Sequence, residues 1–599
     1  MQMPIFIIHC ERIRRRQAYY IRFLINDQLT TRIKELPEEH RKWNASMKVW
    51  ELTTIGLFTL IKSYKKSKKL YFDFGNEDSR KIFIQQIRKI EVEEEEKRKF
   101  IAELNIKKEH WVKYKKELEE TYVQYSEQCH ALLKEGIKLF PHQIIAAMFM
   151  NATRNTLISH EMGTGKSLSS ILYAEMNNFQ KIFVITPNSL KFNYYGEIQK
   201  FTNSSAHIVN WNKNNCGIED AKYVIVNYDF FNSGDIKKFK AKWNKLGIEM
   251  IDCLILDECQ AIKNTKSNTY KNFNRTFTKK IFRDGKVSKI FLSGTPAPNR
   301  AYELYNVLNQ ISPLDFPTKK YFYQYYCGMV RDIENGWGYV TDSAESKLEE
   351  LYHKIAPFTH RIRKFEVLKD LPDKTYQRIV LEMTEEEARI YEDIEKNVAN
   401  EFIVHPTSNP LTIMLRLRQY VSLLKIKHVI ELVENILETG EKVVIVDMFK
   451  ESLYQLQEKF GSIAGLHTGD QTVEERAEIV QHFQDLNDNM KIFNGSIQTC
   501  KYGLTLTAAS KLFMLTSPFV PGEYDQVADR CHRISQKNAV NIYVPVFPDT
   551  IDDYVFTSVE NKRKEIVRVM DNEDYNSDVS ESVLSEVIKI IKEKHGKPL

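Results

Sequence analysis

Several features that would each set the class of this sequence are scarce or missing. Eight cysteines are spread over 599 residues and no two form a C-x-x-C pair, so neither a zinc site nor a disulfide framework is indicated. Reduced thiols inside a cell are the expected state. No apolar run approaches the roughly 20 residues needed to span a bilayer. The start, Met1 to Cys10, is too short for a signal sequence, and its positive charges follow the apolar stretch instead of preceding it. Charge of one sign is also lacking: 86 Lys and Arg against 80 Asp and Glu leave a net +6, too mild to name a partner. A soluble intracellular protein is expected. Its 42% of hydrophobic residues suffice for several cores, and at roughly 150 residues per domain the length implies about four compact units.

Local clustering of charge says more. Arg12, Arg14, Arg15 and Arg16 sit together, as do Lys65, Lys66, Lys68 and Lys69. Such runs suit phosphate backbones and equally suit a solvated face. Basic and aromatic residues mix up to about residue 95, where the acidic run Glu91 to Glu96 closes the segment. From Lys97 to about Glu120 the chain is strongly charged and lacks Pro and Gly, which predicts an exposed helix or helical linker.

From about Leu139 the texture changes. Short apolar runs, Thr156–Ser159, Ile182–Thr186, Tyr223–Asn227, Cys253–Leu256 and Ile290–Leu292, alternate with helical patterns. Buried parallel strands of a doubly wound α/β domain look like this. The stretch Ala301 to Gly440 is mostly helical in pattern. The alternation then resumes at Val443–Val446, Lys491–Phe493, Leu512–Leu515 and Asn541–Val546, a second α/β domain. After Asp571 the tail is acidic and polar before an amphipathic stretch, Val583–Ile591, and partial disorder is expected. The two α/β halves are the sole internal echo; no short repeat is found.

Four constellations carry chemistry. After the first strand comes His160-Glu-Met-Gly-Thr-Gly-Lys-Ser167, leading into a helix. A glycine-rich turn at a helix N-terminus presents N–H groups to phosphate oxygens. Lys166 would neutralise the β- and γ-phosphates, and the Ser167 hydroxyl would hold Mg²⁺. The full phosphate-loop pattern wants glycine where His160 stands. Next, Cys253-Leu-Ile-Leu-Asp-Glu258 puts two carboxylates at the C-terminal end of a strand, the edge where ligands bind in open α/β sheets. Asp257 would hold Mg²⁺ through water, and Glu258 would orient and deprotonate the attacking water. Third, the hydroxyls of Leu292-Ser-Gly-Thr-Pro296 can sense the γ-phosphate, although alone this is merely a turn. Last, Gln526-Val-Ala-Asp-Arg-Cys-His-Arg533 places Arg530 and Arg533 three apart. Two guanidiniums on one face fit the charge of a transferring γ-phosphoryl, and without the other motifs they would be ordinary surface arginines.

In order and spacing these residues resemble the Swi/Snf-type ATPases of helicase superfamily two, over residues 139 to about 560. His160–Ser167 resembles motif I, with His160 at a position where the family has Asp. Asp257–Asn264 resembles the DEAH box and its extension, with Cys259 and Gln260 replacing Ala and His. Gln260 can still hydrogen-bond Ser293 or Thr295. Phe291–Asn299 resembles motif III, and Pro187–Leu190 with Asn193 and Glu197 resembles motif Ia. Phe358–Pro372, with Arg361 and Arg363, resembles the link into the second lobe. Gly465–Phe483 and Gly503–Ala509 resemble the DNA-facing second-lobe motifs, and Gln526–Gln536 resembles motif VI.

The resemblance implies two RecA-like doubly wound parallel-sheet lobes with helical insertions, an α/β fold with ATP and Mg²⁺ in the cleft. Lys166, Asp257, Glu258, Arg530 and Arg533 would be catalytic. Gln143, in Phe140-Pro-His-Gln143, would read adenine, and Met162, Gly163, Thr164, Gly165, Ser167 and Gly503 would line the ATP site. Gln260, Ser293, Thr295 and Gln526 would couple the lobes; Ser189, Asn227, Thr499 and Thr505 would face DNA. The N-terminal Ile33–Pro37, Arg41-Lys-Trp43, Trp50 and Leu57–Tyr64 are similar to the HepA-related (HARP) module of annealing helicases, which engages branched DNA; an unrelated α+β domain with core tryptophans is the alternative.

The expected domains are a DNA-binding α+β domain (1–95), a charged helical linker (96–135), lobe 1 (136–345), a helical protrusion and inter-lobe linker (346–425), lobe 2 (426–570) and a tail (571–599). A monomeric motor that remodels or rewinds forked duplex DNA is expected. The alternatives are displacement of proteins such as RNA polymerase from DNA, or a non-catalytic nucleic-acid-binding scaffold. The many Lys, Asn and Ile residues point to an AT-rich genome, hence to a bacterium or a phage-infected cell.

Overall fold

The computed structural model describes every residue except 1–5, 14–17, 24–26, 37–39, 64–69, 210–217, 236, 239–240, 242–250, 278–286, 332–337, 341–346, 405–409, 502, 534 and 572–599. Arg14 to Arg16, the Lys65–Lys69 cluster and the amphipathic stretch Val583–Ile591 therefore lie outside the described residues.

The chain forms two compact units, residues 1–110 and 111–599. In the first, strands β1 (Phe6–Arg12), β2 (Ala18–Arg22), β3 (Arg41–Asn44), β4 (Val49–Thr53) and β5 (Leu70–Asp73) make one sheet in the order β3-β4-β2-β1-β5. Helices Asp27–Glu35 and Thr54–Ser63 accompany it. Alternate residues of the strands, Ile8, Cys10, Tyr19 and Ile21, pack with Leu57 and Leu60, as the period of two requires. Trp43 and Trp50 face each other across β3 and β4 with ring centroids 5.2 Å apart. Trp43 is 48% exposed, whereas Trp50 is half-buried and packs against the core of this unit. With Phe23, Arg22, Lys34 and Lys48 the pair lines a groove of about 800 Å³.

Helix Glu77–Thr121 begins well before the charged stretch expected to be helical. Its acidic run is interleaved with helix formers, and Phe83 and Ile87 bury one face four residues apart in the core of the first unit. The boundary expected at residue 95 thus falls inside a helix.

The second unit holds two parallel sheets. Lobe 1 has the order β14-β6-β11-β10-β7-β9-β8, made of β6 (Asn155–His160), β7 (Ile182–Thr186), β8 (Ala206–Ile208), β9 (Tyr223–Asn227), β10 (Cys253–Asp257), β11 (Ser288–Leu292) and β14 (Thr359–Ile362). A small hairpin pairs β12 (Met329–Arg331) with β13 (Gly338–Val340). Lobe 2 has the order β15-β20-β19-β16-β18-β17, from β15 (Lys374–Val380), β16 (Lys442–Asp447), β17 (Ala464–His467), β18 (Ile492–Ser496), β19 (Ala509–Met514) and β20 (Val540–Val546). Every residue of β7, β10, β16 and β18 is buried, because helices cover both faces of a parallel sheet.

Besides the β12–β13 hairpin, two strands of the large sheets lie in the stretch expected to be helical. β14 adds to β6 at the edge of the first sheet, and β15 adds to β20 at the edge of the second. Edge strands need no continuous apolar run: β15 alternates half-buried and exposed residues. The inter-lobe link is therefore a crossing from one sheet edge to the other, with helices Leu348–Ile355, Glu385–Val404 and Pro410–Glu438 around it.

The lobes form one unit where separate domains were expected, because they touch directly. Gly522 N–H donates to the Pro298 carbonyl at 3.0 Å, and a Cβ at Gly522 would lie 2.9 Å from Pro298, so only glycine allows this approach. Helix Ile551–Asp571 also straddles them. Its first turns pack Ile551 and Val555 against Leu417 and Val421 of lobe 2, whereas Val569 and Met570 join the lobe 1 core. Asp571 closes it with a 2.8 Å ion pair to Arg361. Among the described residues, no helix is long and apolar enough to cross a membrane.

Candidate nucleotide site

β6 ends at His160 and the chain turns through Gly163 and Gly165, whose φ angles are +82° and +85°, into helix Lys166–Met176. Gly165 has a second reason to be glycine: a Cβ there would meet the Gln143 amide nitrogen at 2.2 Å. The turn opens onto a cavity of about 280 Å³. Met162, Gly163, Gly165, Lys166 and Ser167 line it from the loop, Asp257 and Glu258 from the end of β10, and Gly503, Arg530 and Arg533 from lobe 2. Lys166 Nζ donates to the carbonyls of His160 and Glu161 at 3.0 and 3.3 Å, acceptors that phosphate oxygens can replace.

Charge is concentrated in a buried place. Burial raises the Asp257 carboxyl well above the usual range, the adjacent Glu258 raises it further, and Lys166 and a Thr186 hydroxyl at 3.2 Å oppose this. Burial lowers Lys166, against the pull of Glu258 and Asp257. Glu258 itself sits at φ +52°, a left-handed conformation that costs a non-glycine residue about 1–3 kcal/mol and clusters at functional sites. The arginines are pinned from lobe 2. Arg530 donates to the carbonyls of Gln526 and Lys501 at 3.0 and 2.5 Å. Arg533 donates to the Thr505 hydroxyl at 2.7 Å, and burial, then Arg530, lowers it to about 10.

A hydrogen-bonded chain leaves the carboxylate. Gln260 Nε2 donates to Glu258 at 2.7 Å, and Ser293 Oγ donates to Gln260 Oε1 at 2.7 Å. Thr295 N–H donates to Ser293 Oγ at 3.0 Å, and Gln526 Nε2 of lobe 2 donates to Thr295 Oγ1 at 3.2 Å. It joins Glu258 of one lobe to the segment of the other that carries Arg530 and Arg533.

Some expected residues stand elsewhere. Gln143 is buried beneath the loop, its amide spent on Phe140 N–H at 3.0 Å and the Thr164 carbonyl at 3.4 Å, so it does not line the cavity. Thr164 is buried too, its hydroxyl on the Glu161 carbonyl. Thr505, expected to face DNA, partners Arg533 in the cleft. Thr499 lies in the short helix Ile497–Cys500, bonded to its capping Ser496 and to His467, Asn227 bonds Asn188, and Ser189 lies exposed beside Gly503. His160 packs its ring on His360, with ring nitrogens 2.6 Å apart. Burial, then His360, holds His160 far below the usual histidine range.

Sequence reasoning missed Lys364 and Lys374, which clamp Asp529 at 2.9 Å each. Burial alone would raise Asp529, but the two ammoniums hold it well below the carboxylate range. Nothing local marks two lysines that meet an aspartate more than 150 residues away. The described cysteines are buried and form no disulfide, and no group of three His, Cys, Asp or Glu among the described residues is arranged to hold a metal.

A phosphate loop and carboxylate pair on one parallel-sheet lobe, met by two arginines from another, define a two-lobed RecA-like ATPase. Residues 142–426 match the SNF2-related domain and residues 424–535 the helicase conserved C-terminal domain; the chain belongs to the SNF2 family of helicase-type ATPases. It is 26% identical over 448 residues to an uncharacterized ATP-dependent helicase of Mycoplasma genitalium, covering 70% of this chain and 40% of that one. It is 26% identical over 442 residues to the DNA annealing helicase and endonuclease ZRANB3 of Bos taurus, covering 71% and 40%. The chain thus spans less than half the length of these relatives. The SWI2/SNF2 ATPase core of Sulfolobus solfataricus in complex with dsDNA shares 21% identity, with a TM-score of 0.34, over 77% of this chain and 96% of that one.

Proposed function

We propose that this chain hydrolyses ATP in response to duplex DNA, moves along it, and uses that movement to remodel or rewind branched DNA. The observation that carries the reading is the composition of one cavity: Lys166, Asp257 and Glu258 from lobe 1 share it with Arg530 and Arg533 from lobe 2. The triphosphate binds the loop N–H groups and Lys166. Glu258 orients a water toward the γ-phosphate and takes its proton. Arg530 and Arg533 meet the charge that spreads over the phosphoryl oxygens. The Ser167 hydroxyl and the Asp257 carboxylate fit a magnesium ion, which when bound draws negative charge from the phosphates. Because the arginines belong to the other lobe, hydrolysis and release alter the inter-lobe contact, which is how a motor steps.

Duplex DNA would run over Ser189, Asn227 and Thr499 across both lobes. The branched-DNA part rests on the likeness to the DNA annealing helicase and endonuclease ZRANB3 and on the exposed ring of Trp43, which lies against half-buried Trp50 in a groove with Arg22, Lys34 and Lys48. Aromatic faces stack unpaired bases while cations track the backbone. ATP hydrolysis measured without DNA and with single-stranded, duplex and forked DNA tests both parts. The expected order is forked above duplex, with little turnover alone. Turnover indifferent to every DNA overturns the motor reading; equal stimulation by forked and plain duplex overturns only the branched-DNA part.

A further inference from the structure

Asp529 stands one residue before Arg530, and the two lysines that hold it come from different sides of the lobe boundary. Lys374 opens β15, so its 2.9 Å pair with Asp529 lies within lobe 2. Lys364 follows β14, the edge strand of the lobe 1 sheet, and reaches the same carboxylate oxygen at 2.9 Å from the other side. Its ammonium also donates to the His532 carbonyl at 2.8 Å. Its backbone N–H donates to Glu161 Oε2 of the phosphate loop at 2.9 Å, and the Glu161 N–H donates in turn to the Ile362 carbonyl at 2.9 Å. Lys364, 4% exposed, is therefore tied by its backbone to the phosphate loop and by its side chain to the turn that carries the arginines.

Arg533 depends on that turn more than Arg530 does. Arg530 is fixed inside lobe 2 by the Gln526 and Lys501 carbonyls. Arg533 Nε donates to the Asp529 carbonyl at 3.4 Å, so its stem follows wherever Asp529 is held. A Cβ built on Gly163 would lie 3.8 Å from Arg533 Cγ and 3.9 Å from Lys364 Cε; both stems rest on the phosphate loop. Hydrogen bonds from an ammonium to a carboxylate are roughly twice as strong as neutral ones, whereas the Gln526–Thr295 link between the lobes is neutral. We infer that Lys364 is a positioning residue for Arg533: it holds the Asp529–His532 turn against the phosphate loop and so sets the guanidinium opposite the γ-phosphate. The walls of the nucleotide cavity include Arg533 and not Lys364, so Lys364 acts through the arginine and not on the phosphates.

The inference rests on the nucleotide reading of the cavity, and the test separates the two. DNA-stimulated kcat and affinity for a fluorescent ATP analogue are measured on the whole chain, with Lys364→Met, Lys364→Arg, Arg533→Ala and the double variant of Lys364→Met with Arg533→Ala. Lys364→Met keeps the unbranched stem and leaves Asp529 its Lys374 partner, so lobe 2 retains its ion pair. It should lower kcat about 10-fold or more, since a misplacement of about 1 Å can cost about 10²-fold, with analogue affinity little changed. Lys364→Arg keeps a charged donor and should retain more of the rate. Lys364→Gln, still a donor, gives the same reading should the methionine variant not fold. In the double variant the loss should fall well short of the product of the two single losses, because both act on one group. An unchanged kcat overturns the inference, as do a parallel fall of affinity and kcat, an arginine variant no better than methionine, and a double variant that shows the full product. A wild-type chain that neither binds the analogue nor hydrolyses ATP overturns the nucleotide reading itself.

Discussion

The two lobes share a plan but treat the C-terminal edge of their sheets in opposite ways. In lobe 1 the strand β6 leads through two left-handed glycines into a helix, and the edge stays open as the cavity that holds Asp257 and Glu258. In lobe 2 the central strand β16 ends in Asp447 and enters helix Lys450–Phe460 through Met448 and Phe449, with no glycine. Asp447 is fully buried and accepts from Ser422, Ser452 and the Met448 N–H. Beside it Arg418 and Lys425 pair with Asp552 and donate to the carbonyls of Ser517 and Leu515. The edge of lobe 2 is filled by buried ions, with Arg418 and Lys425 sharing Asp552 as counter-ion. Burying charge costs free energy unless it is paired; lobe 2 pairs its charges within the fold, whereas lobe 1 leaves Lys166, Asp257 and Glu258 lining an open cavity.

The comparison breaks most sharply at the lobe 1 charges. Glu258→Gln should lower turnover by about 10³–10⁴-fold, the upper part of what a general base contributes, while ATP still binds. Lys166→Ala should lower turnover as far and weaken ATP binding as well. Steady-state hydrolysis with nucleotide binding measured in parallel reads both, and near-normal turnover in either variant removes the assignment.

The lobe 2 charges should fail in stability instead. Asp552→Ala leaves Arg418 and Lys425, 0% and 1% exposed, without their shared counter-ion, which costs about 3–5 kcal/mol. Asp257→Asn should behave in the opposite sense. Burial and the Glu258 charge already disfavour its ionised form, so the urea midpoint of the ligand-free protein should hold or rise while hydrolysis is lost. Equal destabilisation by the two substitutions would erase the contrast between the lobes.

These contrasts were unevenly legible in the sequence. β7 and β9 read directly because parallel strands buried on both faces are continuous apolar runs. β14 and β15 did not, since four residues containing Thr, His and Arg, or an alternating edge strand, carry no such run. The residues that build the cavity lie in short motifs at strand ends, where spacing is visible. What they touch is not: the Gln143 amide is consumed beneath the loop because Gly165 lets it approach, and Thr505 meets Arg533 across 28 residues. The ion cluster of lobe 2 joins Asp447 and Asp552 to a helix that starts at Pro410, a meeting that only the closed sheet brings about.

The arginines test whether lobe 2 contributes to chemistry at all. Arg530→Ala and Arg533→Ala should each lower kcat by about 10²-fold. That is less than the full range of an arginine finger because two guanidiniums share the role. ATP affinity should change little, since the charge they meet develops in the transition state. Single-turnover hydrolysis with separate nucleotide titration distinguishes this from ground-state binding, in which affinity falls as far as kcat.

The smallest expected effect concerns the link between the lobes. Glu258 reaches lobe 2 through Gln260, Ser293 and Thr295, and the last step is a single neutral hydrogen bond of 3.2 Å from Gln526 to Thr295. Such a bond contributes about 0.5–1.5 kcal/mol net, so Gln526→Ala or Thr295→Val alone should lower DNA-stimulated turnover only about 2- to 12-fold by the same energy. Turnover without DNA should change less, because every group that touches the phosphates remains. If the bond carries the coupling, the second substitution adds almost nothing to the first, and a double-mutant cycle returns an interaction energy of about 1 kcal/mol. The cycle is run on the stimulation ratio, not on the basal rate, so that a loss confined to folding cancels. Strict additivity would mean that Gln526 and Thr295 act separately and that the lobes communicate through Pro298 and Gly522 or through helix Ile551–Asp571.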